Sequence, residues 1–194
     1  MFHLLNKLAK VTIFLIAAAI LFALATMAYN HRDQWYYPLE DYWTVRNIKE
    51  GIVQAPLENW DGKVIRITGS DSFILKGAAG LCSVKLTGLA GPVATNAFDK
   101  ALVERTTRST EYLSSLILSN EVHVVVTYLP SPPVRSGLGL VYMGTNLINS
   151  AMVAEGHADL RLDFMNGLPR EEQYKLLKAH RTRKNITAVA SISR

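Results

Sequence analysis

Asp61 to Leu89 reads DGKVIRITGSDSFILKGAAGLCSVKLTGL, and this stretch decides the fold. Val64 to Thr68 alternates apolar and polar residues, Gly69-Ser70 interrupts, and Ser72 to Lys76 alternates again. A period of two puts one face of each segment inward, and a short glycine-containing break between two such runs signals a hairpin. Gly77 to Gly80 makes a second turn into Cys82 to Leu89, where Val84, Leu86 and Leu89 are the expected inward residues. Three strands are thus placed within one short segment.

Outward from there, Ala90 to Ala101 reads as a loop of small residues around Gly91-Pro92. Thr106 to Ser119 carries Tyr112, Leu113, Leu116 and Ile117 at helical spacing without a breaker. Val122 to Leu129 is a β-branched strand, ended by Pro130 to Pro133 because proline cannot donate to a ladder. Gly139 to Gly144 makes a fifth strand, and Thr145 to Glu155 a short helix closed by Gly156. Pro169 opens a last helix with Glu171 and Glu172 early and Lys178, Arg181, Arg183 and Lys184 late, as the helix dipole favours. The order is three strands, helix, two strands, two helices. It predicts an α+β, mainly β domain over 61–190, a five-stranded Greek-key barrel of the oligonucleotide/oligosaccharide-binding (OB) type with three helices, and a tail at 191–194.

The chain has 194 residues, room for one ordinary domain and a short accessory segment. Its 49% hydrophobic and 19% charged residues exclude a disordered chain, and the mean hydropathy of +0.12 requires an apolar excess somewhere. Val11 to Ala28, VTIFLIAAAILFALATMA, supplies it: these eighteen residues hold no charge, Gly or Pro. As a helix they extend about 27 Å, nearly a bilayer core. After a tail at 1–10, the expectation is a single transmembrane anchor at 11–28. Residues 29–60 follow as an aromatic juxtamembrane connector of little regular structure, holding one short helix near Asp41 to Glu50. All three Trp and four of the eight Tyr fall between Tyr29 and Trp60, as an interfacial belt requires. Lys7 and Lys10 precede the span, which points the domain to the non-cytoplasmic side. The rival reading is a cleaved signal peptide, ending near Ala25 or Ala28 and releasing a soluble form.

Four motifs resemble the staphylococcal nuclease-like (thermonuclease) family. Gly69-Ser70-Asp71-Ser72 is similar to the family's Asp-Gly-Asp-Thr turn, and Val84 to Val93, VKLTGLAGPV, to its Val-Arg-Leu-x-Gly-Ile-Asp-x-Pro-Glu. Ser136 to Tyr142 resembles Tyr-Gly-Arg-x-Leu-Ala-x-Val, and Asn149 to Ala158 resembles the helix Asn-x-x-Leu-Val-x-x-Gly-Leu-Ala. The basic helix from Glu171 to Asn185 corresponds to the family's terminal helix. Together they cover residues 63–190 in order.

The resemblance implies phosphodiester cleavage, which needs carboxylates around a hard divalent cation and guanidinium groups on the developing charge. The family's third-strand arginine falls on Lys85, its two following carboxylates on Ala90 and Val93, and its second arginine on Leu138. Only Asp71 stands where the family places a metal ligand, and Ca²⁺ needs several oxygen ligands. Lys85 can touch a phosphate as a point charge, and Arg135 or Asp99 can be imagined swinging into the site. No catalytic residue, metal site or cofactor is assigned; Ca²⁺ enters only if the site is rearranged.

Other chemistry finds little footing. His123, His157 and His180 share no metal-ligand spacing, and Cys82 has no His and Asp pattern beside it. Asn185-Ile186-Thr187 matches a glycosylation acceptor. Between Arg170 and Arg194 seven bases face two acids; this equals the whole chain's +5, so the fourteen bases and fourteen acids elsewhere cancel. Lys178, Arg181, Arg183 and Lys184, with Lys85 and Arg135, are therefore the candidate contacts for phosphates of nucleic acid or anionic lipid. The leading expectation is a membrane-anchored, catalytically degenerate nuclease-like module that binds or scaffolds beside the bilayer, with the bilayer and a membrane protein as partners. Two alternatives stand beside it: an active divalent-cation-dependent nuclease or phosphodiesterase with a rearranged site, and a structural subunit of a membrane complex.

Overall fold

The computed structural model describes residues 2–30, 32–47, 58–128, 135–165 and 167–192; within these, the side chains of 2–13, 15, 30, 32–37, 47 and 184–192 are outside the description. The chain divides into two units, Met1–Arg46 and Asn47–Arg194.

The first unit is helical. Helix α1 (Phe2–Asn30) contains the apolar stretch, and its described side chains Phe14, Ile16, Leu21, Phe22 and Met27 are all more than half exposed. Thr26 Oγ1 donates to the Phe22 carbonyl at 2.6 Å, so this hydroxyl is satisfied within the helix. Among the described residues no helix is long and apolar enough to cross a membrane; the expected span at 11–28 includes residues 11–13 and 15, whose side chains lie outside the description. Helix α2 (Arg32–Asn47) corrects the reading of residues 29–60 as largely irregular, for it holds Pro38 in its interior. Proline costs a helix one hydrogen bond, which is why the sequence reads as broken there. Tyr42 and Trp43 pack edge to face at 5.9 Å, and the Arg46 guanidinium lies 5.4 Å from the Trp43 ring centre.

The second unit is a closed barrel of five strands: β1 (Glu58–Gly69), β2 (Ser72–Gly77), β3 (Gly80–Leu86), β5 (Glu121–Tyr128) and β6 (Ser136–Met143). Antiparallel pairs run β3-β2-β1-β5-β6, and a parallel β3–β6 pair closes the ring. This arrangement, with helix α3 (Lys100–Ile117) between the third and fourth barrel strands, is compatible with an OB-like barrel. Strand β1 starts at Glu58, earlier than its apolar alternation, because the polar run Glu58 to Lys63 pairs with β5. Its later half pairs with β2, and register shifts at Val64/Arg66 and Ile67/Gly69 bulge the strand between these duties. Bulges bend a strand and increase its twist, which lets one strand serve both sides of a small closed sheet.

Phe73, Leu75, Val84, Leu86, Val124, Val126 and Leu140 fill the core with at most 1% of their surface exposed, and Leu113 and Ile117 of α3 are fully buried. Helix α3 begins at Lys100, six residues before the expected Thr106, because Asp99 caps it: its Oδ1 accepts the Leu102 N–H at 3.0 Å. A second ladder joins β4 (Leu89–Ala90) to β8 (Asp159–Leu160). Between β6 and β8 lie β7 (Asn146–Leu147) and helix α4 (Ile148–Ala154), and after a 3-10 turn at Leu162–Phe164 comes α5 (Arg170–Ile192). The described chain thus has five α-helices, not three, the barrel's own three being preceded by α1 and α2. The strand end expected at Pro130 to Pro133 lies outside the described residues.

Candidate functional site

The turn between β1 and β2 carries Ser70 and Asp71, both buried at 3% and 6% exposure. Two hydrogen bonds sew it to the segment after β4. Ser70 Oγ donates to the Pro92 carbonyl at 2.6 Å, and the Gly91 N–H donates to Asp71 Oδ2 at 3.1 Å. Asp71 also accepts, through its carbonyl, the Leu86 N–H at 2.9 Å. A Cβ on Gly91 would come within 2.3 Å of Ser70 Oγ and 3.0 Å of the Ser70 carbonyl carbon, so only glycine permits this approach.

The barrel register gathers some of the positions singled out by sequence. Lys85 pairs with Ser72 on one side and Leu138 on the other, and its ammonium reaches Asp71 Oδ2 at 3.6 Å. Ala90, half-buried, adjoins Gly91 and faces Asp159 across the second ladder. Val93 is 61% exposed. Arg135 does not join them. Its guanidinium donates to the Ala79 carbonyl at the β2–β3 turn, and the neighbouring Ser83–Ser136 rung lies two residues along from Lys85–Leu138. Asp99 is occupied as the cap of α3.

Charge at this cluster opposes a divalent cation. One Asp71 oxygen already holds a backbone N–H and an ammonium, and no further carboxylate stands at the family's ligand positions. Among the described residues no group of three His, Cys, Asp or Glu is placed to hold a metal ion. The residues present do not fit a Ca²⁺ site, which needs six to eight oxygens.

The basic terminal helix is less open than its composition suggested. Arg183 Nη1 donates to Asp159 Oδ1 at 2.7 Å and to the Ala158 carbonyl at 3.2 Å, while Arg105 Nη2 of α3 takes Asp159 Oδ2 at 2.9 Å. Partial burial opposes ionisation of Asp159, but hydrogen bonds from Arg183 and Arg105 outweigh it and hold its carboxyl below the usual range. Lys178 is exposed, Arg181 half-buried, and the side chain of Lys184 lies outside the description.

Three further groupings were not singled out by sequence. Asp61 and His123 face each other on the β1–β5 rung, with His123 Nδ1 2.7 Å from Asp61 Oδ1. His157 stacks on Tyr112 at 4.2 Å, and burial, with Arg108 nearby, lowers its pKa against the pull of Glu155. Tyr142 has its phenol pKa raised, first by burial and then by the charge and hydrogen bond of Glu172. None of these pairs is visible in the spacing of its members, because strand register and helix docking make the contacts. No family model matches the chain, and no curated protein matches it.

Proposed function

We propose that this chain is a membrane-anchored, OB-type barrel of staphylococcal nuclease-like ancestry that works as a binding or scaffolding module rather than as a phosphodiesterase. The observation that carries this reading is the state of Asp71. Its carboxylate is buried, bonded to the Gly91 N–H and paired with Lys85 Nζ at 3.6 Å, while the neighbouring family positions are Ala90, Val93 and Leu138. A hydrolytic site of this type must gather several oxygens around a cation and aim guanidinium groups at the phosphate. Here a lysine holds the one carboxylate and leucine replaces an arginine.

The anchor is supported by the run Val11 to Ala28 and by the exposed apolar side chains of α1, spread around the helix from Phe14 to Met27. Lys7 and Lys10 before it favour a barrel on the non-cytoplasmic side.

The test is incubation of the full chain, in detergent micelles, with labelled single-stranded DNA and RNA under millimolar Ca²⁺ or Mg²⁺. A chelator control and an Asp71→Ala variant run beside it. The expected result is no chelator-sensitive cleavage at high protein concentration. Cleavage that a chelator stops and Asp71→Ala abolishes overturns the proposal and establishes a rearranged nuclease.

A further inference from the structure

Asp159 lies between guanidinium groups from two different helices. Arg105 of α3 takes one carboxylate oxygen at 2.9 Å and Arg183 of α5 takes the other at 2.7 Å. Two guanidinium groups thus share one carboxylate. The three side chains are also partly open to solvent, with 39%, 28% and 51% of Arg105, Arg183 and Asp159 exposed. Such a pair is built to hold two oxygens of one anion, since guanidinium is planar, permanently charged and matched to carboxylate or phosphate geometry.

The ladder puts this pair at the edge of the degenerate site. Ala90 is the direct partner of Asp159, so their Cβ atoms lie on one face about 5 Å apart. The next residue, Gly91, is bonded to Asp71, which in turn meets Lys85.

We propose that Arg105 and Arg183 form a metal-independent clamp for a phosphomonoester, closed in the resting molecule by the chain's own Asp159. A monoester carries close to two charges at neutral pH and offers three oxygens, so it outmatches the single charge and two oxygens of a carboxylate. A tethered carboxylate competes at high effective concentration, so the parent protein binds weakly and removal of the tethered charge strengthens binding. A bridge that merely ties α3 to α5 through β8 predicts the opposite, a loss of stability that phosphate does not repair.

The experiment uses the full chain in detergent micelles at constant ionic strength, titrated with inorganic phosphate and followed by calorimetry and thermal unfolding. Asp159→Asn is expected to tighten phosphate binding at least tenfold, and saturating phosphate is expected to restore its melting temperature. Adding Arg105→Gln or Arg183→Gln to Asp159→Asn is expected to reverse that gain at least tenfold. Unchanged affinity in Asp159→Asn, or a gain that survives both arginine substitutions, overturns the proposal. Should Asp159→Asn fail to fold, the single variants Arg105→Gln and Arg183→Gln decide. Each then lowers the weak phosphate affinity of the parent at least threefold, and affinity equal to the parent's overturns the clamp. Two further pairs of probes identify the phosphate's source: one oligodeoxynucleotide with and without a 5′-phosphate, and phosphatidylcholine vesicles with and without phosphatidic acid. Preference for either phosphomonoester assigns the clamp to nucleic-acid ends or to lipid, and inorganic phosphate alone assigns it to a small metabolite.

Discussion

Asn149 should be the most costly polar side chain to remove. It is fully buried in α4, and its carboxamide makes three hydrogen bonds to backbone. Oδ1 accepts the Val141 N–H at 2.9 Å, and Nδ2 donates to the carbonyls of Thr87 at 2.9 Å and Gly139 at 3.2 Å. The Gly139 carbonyl keeps a second partner, the Thr87 N–H at 3.0 Å. Substitution therefore strands two groups, the Val141 donor and the Thr87 acceptor. An unsatisfied buried group costs about 1–3 kcal/mol, so Asn149→Ala should lose about 4 kcal/mol, a large share of the 5–15 kcal/mol that holds a typical domain. Asn149→Asp separates hydrogen bonding from lost volume, because it keeps the shape and the acceptor but turns both donor contacts into repulsion. Native-state amide exchange of the full chain in a urea series reads both effects, with the Val141 amide as local reporter and the β5 amides as global ones. Both variants are expected to lose protection by similar amounts. A change below about 1 kcal/mol in either variant, with the Val141 amide still protected, would refute this account of the bridge.

Other positions yield shorter tests. A Cβ on Gly139 would sit 2.5 Å from Val124 Cγ1, so Gly139→Ala should destabilise the barrel by about 1–3 kcal/mol, seen as an earlier urea midpoint. Burial and Glu172 raise the Tyr142 pKa, so its phenol should titrate after an ordinary tyrosine; its contribution is full below pH 10 and lost as pH climbs through the folded value. Phenolate absorbance should show a late step that Tyr142→Phe removes. The lowered pKa of Asp159 acts in the reverse sense, giving stability that is present above the unfolded carboxyl range and fades below about pH 4. The melting-temperature gap between the parent and Asp159→Asn should therefore close on acidification, and a gap that stays constant to pH 2 would count against the two-arginine pairing.

The barrel was legible in sequence because its hairpins are local. Phe73, Leu75, Val84 and Leu86 alternate within their strands, and the two-residue turn between Gly77 and Gly80 announces the register. Legibility failed where distant partners decide. Glu58 to Lys63 has no apolar alternation and becomes strand only by pairing with β5, which follows far along the chain at Glu121–Tyr128. The start of α3 hides in Asp99, a capping residue with no apolar periodicity behind it. Helix α2 runs through Pro38, against its local preference. For the site, sequence placed Asp71, Lys85 and Ala90, and Leu138 in three separate motifs, and strand register brings Lys85 beside Leu138 and Asp71. It offered no signal for Arg105 and Arg183 meeting on Asp159, since these come from three elements joined only in the folded chain.

Asp71 shows why one surviving motif residue is a poor guide to chemistry. Its position within the Gly69-Ser70-Asp71-Ser72 turn invites a reading as a metal ligand, yet a complete structural role is already visible. Its carbonyl extends the β2–β3 ladder through the Leu86 N–H, its carboxylate fixes the Gly91 N–H, and its neighbour Ser70 ties down the Pro92 carbonyl. Removing the carboxylate would strand a partly buried N–H and remove one of the two hydrogen bonds that tie the segment after β4 to the turn, a cost incurred with or without a cation. A divalent ion would also have to displace Lys85. At 4 Å a unit charge against a unit charge is worth about 4 kcal/mol at the effective dielectric of a protein surface, twice that for a dication. Since Lys85 is about half exposed, it can swing outward and relieve much of this, so the repulsion weakens metal binding rather than forbidding it. The missing oxygens at Ala90 and Val93 remain the larger deficit, because a hard cation gives up its hydration shell only to several oxygens together. The role of Asp71 in the turn it closes therefore stands without a cation.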